Sequence, residues 1–483
     1  MDEPQGVAYG SPTGRWVIVA TVLGSGIAFL DGTVVNVALP AIGEDFGVGF
    51  SSLQWTISAY MLTLGALLLV GGSLGDLYGR RLVFVWGLGG FTVASLLCAL
   101  APSVGVLIAA RALQGVGAAM LVPGSLAIIS GSFRDEDRGQ AIGAWSGLSG
   151  VTTAIGPFIG GWLVDSVSWR LVFFINLPLA LIAIVIALRH VPETRDEGAA
   201  RSPDVVGGIT AALGLGGIVF ALIEGPARGW DQPVVWIAAT VGVVAVVSFF
   251  AVEARVAHPM MSFTIFRSRQ FSGANGTTLL VYAALSGAMF LVVIQLQEIL
   301  NYSALEAGAA FLPVTLLLLA LSPTAGKLAQ RWGPRGPMTV GPLVAGIGLG
   351  MLTPVDAGSH YATDLLPGII VFGLGLAATV APLTTAVLTA IEGSHAGLAS
   401  GINNAVARVA GLLAVVLIPL AAGISGIDNI GGEAFSEGFR RSMLMSAALC
   451  FGGGAISFLT IRNSVPVGHN PPPAPDHPAQ AVL

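Results

Sequence analysis

The sequence predicts an all-α polytopic membrane protein, two six-helix halves with two helices inserted between them, about fourteen transmembrane helices in all. Three observations predict it. The 483 residues are 54% hydrophobic and 10% charged, where soluble domains carry about 25% charge. Apolar runs long enough to cross a bilayer recur fourteen times along the chain. A ten-residue pattern near the start returns 254 residues later. A soluble protein of this length would divide into domains with polar surfaces, and no stretch offers one.

The runs lie at 16–39, 53–74, 82–101, 104–129, 140–163, 171–188, 206–224, 234–252, 272–297, 306–325, 338–354, 365–390, 397–422 and 439–461. The first has no basic flank or cleavage site of a signal peptide ahead of it, so it reads as a retained span. It carries Asp31 and Asn36. The second ends at a turn, Gly72 to Arg81, that contains Asp76, Gly79 and Arg80. The fourth holds Arg111 and Gln114, the fifth Gly156-Pro157 and Gly160-Gly161, and the thirteenth Asn403, Asn404 and Arg408. The tenth ends in Gly326 to Arg335, which matches Gly72 to Arg81 at Gly72/Gly326, Leu74/Leu328, Gly79/Gly333 and Arg81/Arg335. Spans one to six therefore correspond to spans nine to fourteen, and seven and eight are the insert. Parallel halves with a site between them are a transporter architecture.

With the N-terminus inside, fifteen of the 21 basic residues fall in cytoplasmic segments, four in outer segments and two, Arg111 and Arg408, within spans. That is the bias of the positive-inside rule, and it places both termini in the cytoplasm. The expected organisation is a cytoplasmic tail over 1–14, an N-terminal half over 15–190, a linker and inserted pair over 191–270, a C-terminal half over 271–462 and a disordered cytoplasmic tail over 463–483.

Asp31 is the only acid deep inside a run. A carboxylate there costs about 2.5–3.5 kcal/mol on insertion scales, which makes it a functional candidate by default. Shifted by the repeat, it lands on Leu285, so it has no twin. Arg111 is its natural counter-charge, and Gln114 shares the face of Arg111 at i+3. A permanent structural tie between spans one and four is the alternative reading of this pair. Glu224 and Glu298 lie near outer span ends and read as solvated carboxylates.

Taken together, these residues resemble the major facilitator superfamily, and within it the fourteen-span branch of drug:proton antiporters. Leu30 to Pro40 is similar to that branch's first-span signature, and Gly72 to Arg81 to the loop motif of the superfamily. Arg111-Ala-Leu-Gln114-Gly115 resembles its fourth-span motif. Gly156-Pro157-Phe-Ile-Gly160-Gly161 is similar to the antiporter motif, and Trp169 to Pro178 to the branch's entry into span six. Thr152 and Ala410-Gly411-Leu-Leu-Ala414 depart from the pattern where glycine is usual.

The resemblance implies a proton-coupled exporter of hydrophobic or amphipathic drugs working by alternating access in the plasma membrane. It implies that Asp31 and Arg111 couple the proton and that Gly72, Asp76, Gly79, Arg80 and Arg81 form a conformational latch between the halves. Gly156, Pro157, Gly160 and Gly161 then bend and seal the fifth span, and Asn36, Gln114, Asn404 and Arg408 serve the cavity or the coupling. A dedicated exporter of one metabolite, antibiotic or lipid keeps the same fold, and a non-transporting sensor is the third reading. No enzyme chemistry is expected, because Asp31 has no second catalytic group near it. The only lysine, Lys327, is followed by leucine, so no phosphate-binding loop is present. No metal site, cofactor or nucleic-acid partner is expected; the partners are substrate, protons and lipid, and the chain reads as a monomer.

Overall fold

A computed structural model describes residues 6–195, 204–256, 261, 263–390, 396–425 and 432–463. The expected disordered tail lies outside the described residues from 464 onward. Among the described residues, fourteen long helices follow one another in chain order. In the first half they are α1 (Pro12–Phe46), α2 (Phe50–Tyr78), α3 (Arg80–Ala99), α4 (Val104–Ser132), α5 (Asp135–Ser166) and α6 (Leu171–His190). The inserted pair is α7 (Val205–Arg228) and α8 (Pro233–Glu253). In the second half they are α9 (Arg269–Ile299), α10 (Ala304–Trp332), α11 (Arg335–Met351), α12 (Tyr361–Thr389), α13 (Ala396–Ala422) and α14 (Glu433–Thr460).

Thirteen of these are long and apolar enough to cross a membrane. The other, α11, has 17 residues and spans about 25 Å at 1.5 Å per residue. Several helices, α1, α2 and α5 among them, overrun their apolar runs at both ends, because capping residues rather than hydropathy end a helix. Ser11 Oγ accepts from Gly14 N at 3.1 Å to start α1, and Gly47 ends it at φ 62°. Ser303 and Glu306 close a reciprocal capping box at the start of α10. The short N-terminal segment is docked as well: Val7 N donates to Ser132 O at 2.7 Å, and Tyr9 N to Asp137 Oδ2 at 2.9 Å.

The repeat is structural. Gly79 and Gly333 both adopt left-handed φ, 116° and 90°, where a side chain would be strained. Each is clasped by the chain just after the sixth helix of its own half. Glu193 accepts from Arg81 N at 3.0 Å and Leu82 N at 3.2 Å, and Asn463 Oδ1 accepts from Arg335 N at 3.1 Å.

At the end of the bundle away from the termini, both halves share one apolar core, which runs from Leu30 to Ile42 of α1 and from Val281 to Ile299 of α9, among others. At the terminal end the cores are separate. One is built on Val17, Phe84 and Ile128, the other on Phe271, Leu383 and Ile402. The halves thus close at the distal end and part toward the termini. Gln54 Nε2 to Val415 O at 2.9 Å and Gln297 Nε2 to Val37 O at 3.1 Å tie the closed end. Asp165 of α5 accepts from Ala304 N at 3.0 Å and Leu305 N at 2.8 Å, an anion capping the N-terminus of α10 across the seam.

The inserted pair is a hairpin whose first helix, α7, packs against α2 and α13, where Val219 and Ile223 meet Leu412 and Val416. It covers the α2–α13 seam and leaves the α5–α10 seam without such a cover.

Candidate functional site

Five helices of the first half converge on Asp31. Its carboxylate is fully buried and Arg111 is 1% exposed. Arg111 Nη1 donates to Asp31 Oδ2, Gln114 Nε2 donates to Asp31 Oδ1 at 2.8 Å, and Asn176 Nδ2 donates to the same oxygen at 3.0 Å. Arg111 also donates to Gln114 Oε1 at 2.6 Å and to Thr56 O at 3.0 Å. Ser95 accepts from Gln114 Nε2 at 2.8 Å. Below the guanidinium lies the Tyr60 ring, 4.4 Å from Cζ to centroid, with its hydroxyl on Ala28 O at 2.9 Å. A charge this far from water persists only when paired and hydrogen-bonded. The network meets that demand, since each carboxylate oxygen has a donor. One atom is left over: Asn176 Oδ1 is buried with no partner.

Asp31, Arg111 and Gln114 are therefore brought together as the sequence implies. Asn176 and Ser95 belong with them and were not singled out. The signal for Asn176 was its place in the Trp169–Pro178 stretch at the mouth of α6. Asn36 does not join. Its Nδ2 reaches only its own helix, at Gly32 O, 3.4 Å, and its side chain is half-buried on the face of α1 that also carries Phe29 and Gly32.

The antiporter motif splits its glycines between two neighbours. A Cβ on Gly156 or Gly160 would collide with Thr33 or Val34 of α1. One on Gly161 would collide with Ala304 O of α10, and one on Gly308 of α10 with Pro157 O. Pro157 has no N–H, so the carbonyl of Thr153 loses its helical donor. Thr33 Oγ1 supplies one at 3.2 Å. The motif thus holds α5 against α1 within its half and against α10 across the seam.

In the loop motif Asp76 pairs with a basic residue of its own turn, Arg80, at 2.8 Å, and the N-terminus of α3 is taken by Glu193, which also faces Arg81 at 3.6 Å. Arg80 reaches Ala127 O at 3.2 Å. These bonds stay inside the first half, as they must where the halves are parted at this end.

In the second half, Asn403 Nδ2 donates to Thr278 Oγ1 at 2.7 Å and to Asn275 Oδ1 at 3.1 Å, which ties α13 to α9. Asn404 Nδ2 turns back to Ser400 O of its own helix at 3.1 Å. Arg408 has no hydrogen bond or ion pair among the described residues and stacks on Phe29 of α1, 5.3 Å from the ring centroid.

The solvated reading of Glu224 is overturned. It is 9% exposed, accepts from Trp55 Nε1 at 2.7 Å and pairs with Arg228, because α7 lies flat against α2. Glu253, at the last turn of α8, is also buried. Glu298 is half-buried. Cys98 and Cys450 are free and buried, and no cluster of metal-ligating side chains occurs among the described residues.

Two six-helix halves, closed at one end over buried charge and parted at the other, define a membrane transport protein rather than an enzyme. The Major Facilitator Superfamily profile matches residues 21–415 and again 274–483. The chain belongs to the major facilitator superfamily. It is 36% identical over 389 residues to the multidrug resistance protein Stp of Mycobacterium tuberculosis (strain CDC 1551 / Oshkosh), covering 80% of this chain and 72% of that protein. It is 34% identical over 424 residues to the tetracenomycin C resistance and export protein of Streptomyces glaucescens, covering 86% and 78%. Among solved structures it superposes on a peptide transporter, POT, in complex with sulfate, with TM-score 0.68 and 14% identity over 94% of this chain and 96% of that one; that likeness is of fold.

Proposed function

We propose that this protein is a proton-coupled antiporter that exports hydrophobic or amphipathic drugs from the cytoplasm by alternating access. The observation that carries the reading is the buried Asp31–Arg111 pair with its amide partners. The names of the relatives, multidrug resistance and antibiotic resistance and export, support the cargo class. With both termini in the cytoplasm of a plasma-membrane protein, as the positive-inside bias indicates, the parted end faces inward and the closed end outward.

Asp31 is the proton carrier in this reading. Protonation removes its attraction for Arg111 and leaves the guanidinium buried without a counter-charge, which costs several kcal/mol. The arrangement is then unstable as it stands and shifts toward one that rehydrates Arg111. The proton also needs an acceptor; a flip of the Asn176 amide, whose NH₂ now faces Asp31 and whose Oδ1 is buried and unpartnered, would supply one. Asp76, Arg80 and Arg81 become free to engage the second half when the inner ends approach. A proton crossing 100 mV gains about 2.3 kcal/mol, enough to hold a neutral compound at a gradient of about fortyfold.

Efflux of a fluorescent hydrophobic dye from energised cells tests this. A protonophore should collapse wild-type efflux, and Asp31→Asn should be expressed but inactive. Uphill efflux by Asp31→Asn would remove Asp31 from the coupling role and turn attention to Glu224 and Glu298.

A further inference from the structure

We infer that Arg408 is an anion anchor at the edge of the opening between the halves, and that the cargo it selects is an aromatic compound carrying a carboxylate, sulfonate or phenolate. The inference rests on the exporter reading for its cavity and deepens it by naming a substrate class.

That edge can be located from the cores. On α13, Ile402 belongs to the separate core of the second half and Ala414 to the shared distal core, with Arg408 midway between them. On α1 the same boundary falls between Ala28 and Leu30, at Phe29. On α9 it falls between Val281, in the shared core, and Tyr282, packed against the separate one. Phe29, Tyr282 and Arg408 are all half-buried. At the level of Arg408 α1 and α9 part, while α2 and α13 stay together past it, with Leu69 against Gly401. Arg408 thus lies at the edge of the opening with Phe29 in contact, and Tyr282 lies at the same level of α9.

The charge balance of the membrane interior decides the ligand's sign. Three ionised groups lie deep within the spans, Asp31, Arg111 and Arg408. Asp31 and Arg111 neutralise one another inside the first half, fully buried. Arg408 keeps its charge, with no acid against it among the described residues, so the opening carries a net positive potential. A cation entering it meets repulsion that no carboxylate offsets. An anion meets a planar guanidinium whose N–H groups are unspent, the group best suited to bidentate pairing with an oxyanion. The cation–π contact with Phe29 holds the side chain in place meanwhile. An aromatic body beside Phe29 adds ring contact to the charge pairing. Proton entry and anion exit also both run with an inside-negative potential, so this cargo draws on the membrane voltage twice.

Two dyes that differ by one sulfonate test the assignment: 8-anilinonaphthalene-1-sulfonate and the neutral N-phenyl-1-naphthylamine. Their binding to the purified full-length protein in nanodiscs is titrated by fluorescence, with empty discs subtracted. The sulfonate is expected to bind about tenfold tighter than its neutral parent, the size of one charge-assisted pairing. Arg408→Gln should abolish that preference and leave the neutral dye unchanged, and Arg408→Lys should keep part of it. Equal binding by the wild type, a preference that survives Arg408→Gln, or a loss that falls equally on both dyes would overturn the assignment. If Arg408→Gln does not fold, the wild-type comparison and Arg408→Lys decide. Proton-driven transport is a separate readout. Its absence with the sulfonate preference intact would strike the antiporter reading and leave the anion anchor standing.

Discussion

Removing the charge of Asp31 and of Arg111, singly and together, tests the central pair most directly. In Asp31→Asn, Arg111 stays buried with neutral acceptors alone, Gln114 Oε1, Thr56 O and the new amide's own oxygen. The new amide also brings an NH₂ where the network offers three donors, from Arg111, Gln114 and Asn176. Breaking one side of a buried pair costs about 3–5 kcal/mol. Arg111→Gln should cost a similar amount, because it strands a carboxylate at zero exposure. The double variant strands no charge, so its loss should fall short of the sum of the singles by at least about 2 kcal/mol. Reversible unfolding in mixed micelles, followed by tryptophan fluorescence, measures all three. Dye efflux should be absent in each, since a neutral pair holds the helices but responds to no proton. Additivity within about 0.5 kcal/mol would show that the two charges do not stabilise each other, and the coupling argument would fall with them.

Replacing Asn176 by Leu removes a donor from Asp31 and the acceptor we assign to its proton; efflux should drop at least about tenfold while the protein still inserts, with a cost of about 1–3 kcal/mol. Gly161→Leu should wedge α5 away from Ala304 O at the closed end, and a cysteine at Phe50, which packs on Phe290 and Phe435, should then label from outside where it is protected otherwise. Gly156→Leu should displace Thr33 from the carbonyl of Thr153 and produce proton leak in energised vesicles; an unchanged proton-to-dye ratio would count against the seal. Glu193→Gln should leave efflux nearly intact and cost under about 1 kcal/mol, since the pair with Arg81 is part-exposed, while amide exchange at Arg81 and Leu82 quickens.

Much of this molecule could be read before any coordinate was known. Hydropathy is a local property, so the fourteen spans follow from the chain itself, and only α11 falls short of the usual length. Asp31 and Arg111 stood out because a charge in hydrocarbon is costly wherever it lies. The turn glycines Gly79 and Gly333 were legible as a repeat because left-handed backbone favours one residue type.

What the chain alone left open depends on which neighbour a helix acquires. Asparagine is tolerated in a membrane helix in many settings, so apart from the motif around it nothing marks Asn176, which bonds Asp31 from 145 residues away, as different from Asn404, which bonds its own turn. Glu224 looked wet because its position along α7 is near an end; packing against Trp55 is what removes the water. Which basic residue Asp76 pairs with is likewise set by proximity: the four-residue spacing to Arg80 is satisfied within its own half. The sequence by itself thus determined the spans, the repeat and the existence of a buried charge pair, because those follow from the solvation cost of each residue. The tertiary structure decided the partners, the closed end and the place of the inserted pair, because these depend on side chains that meet only when distant helices pack.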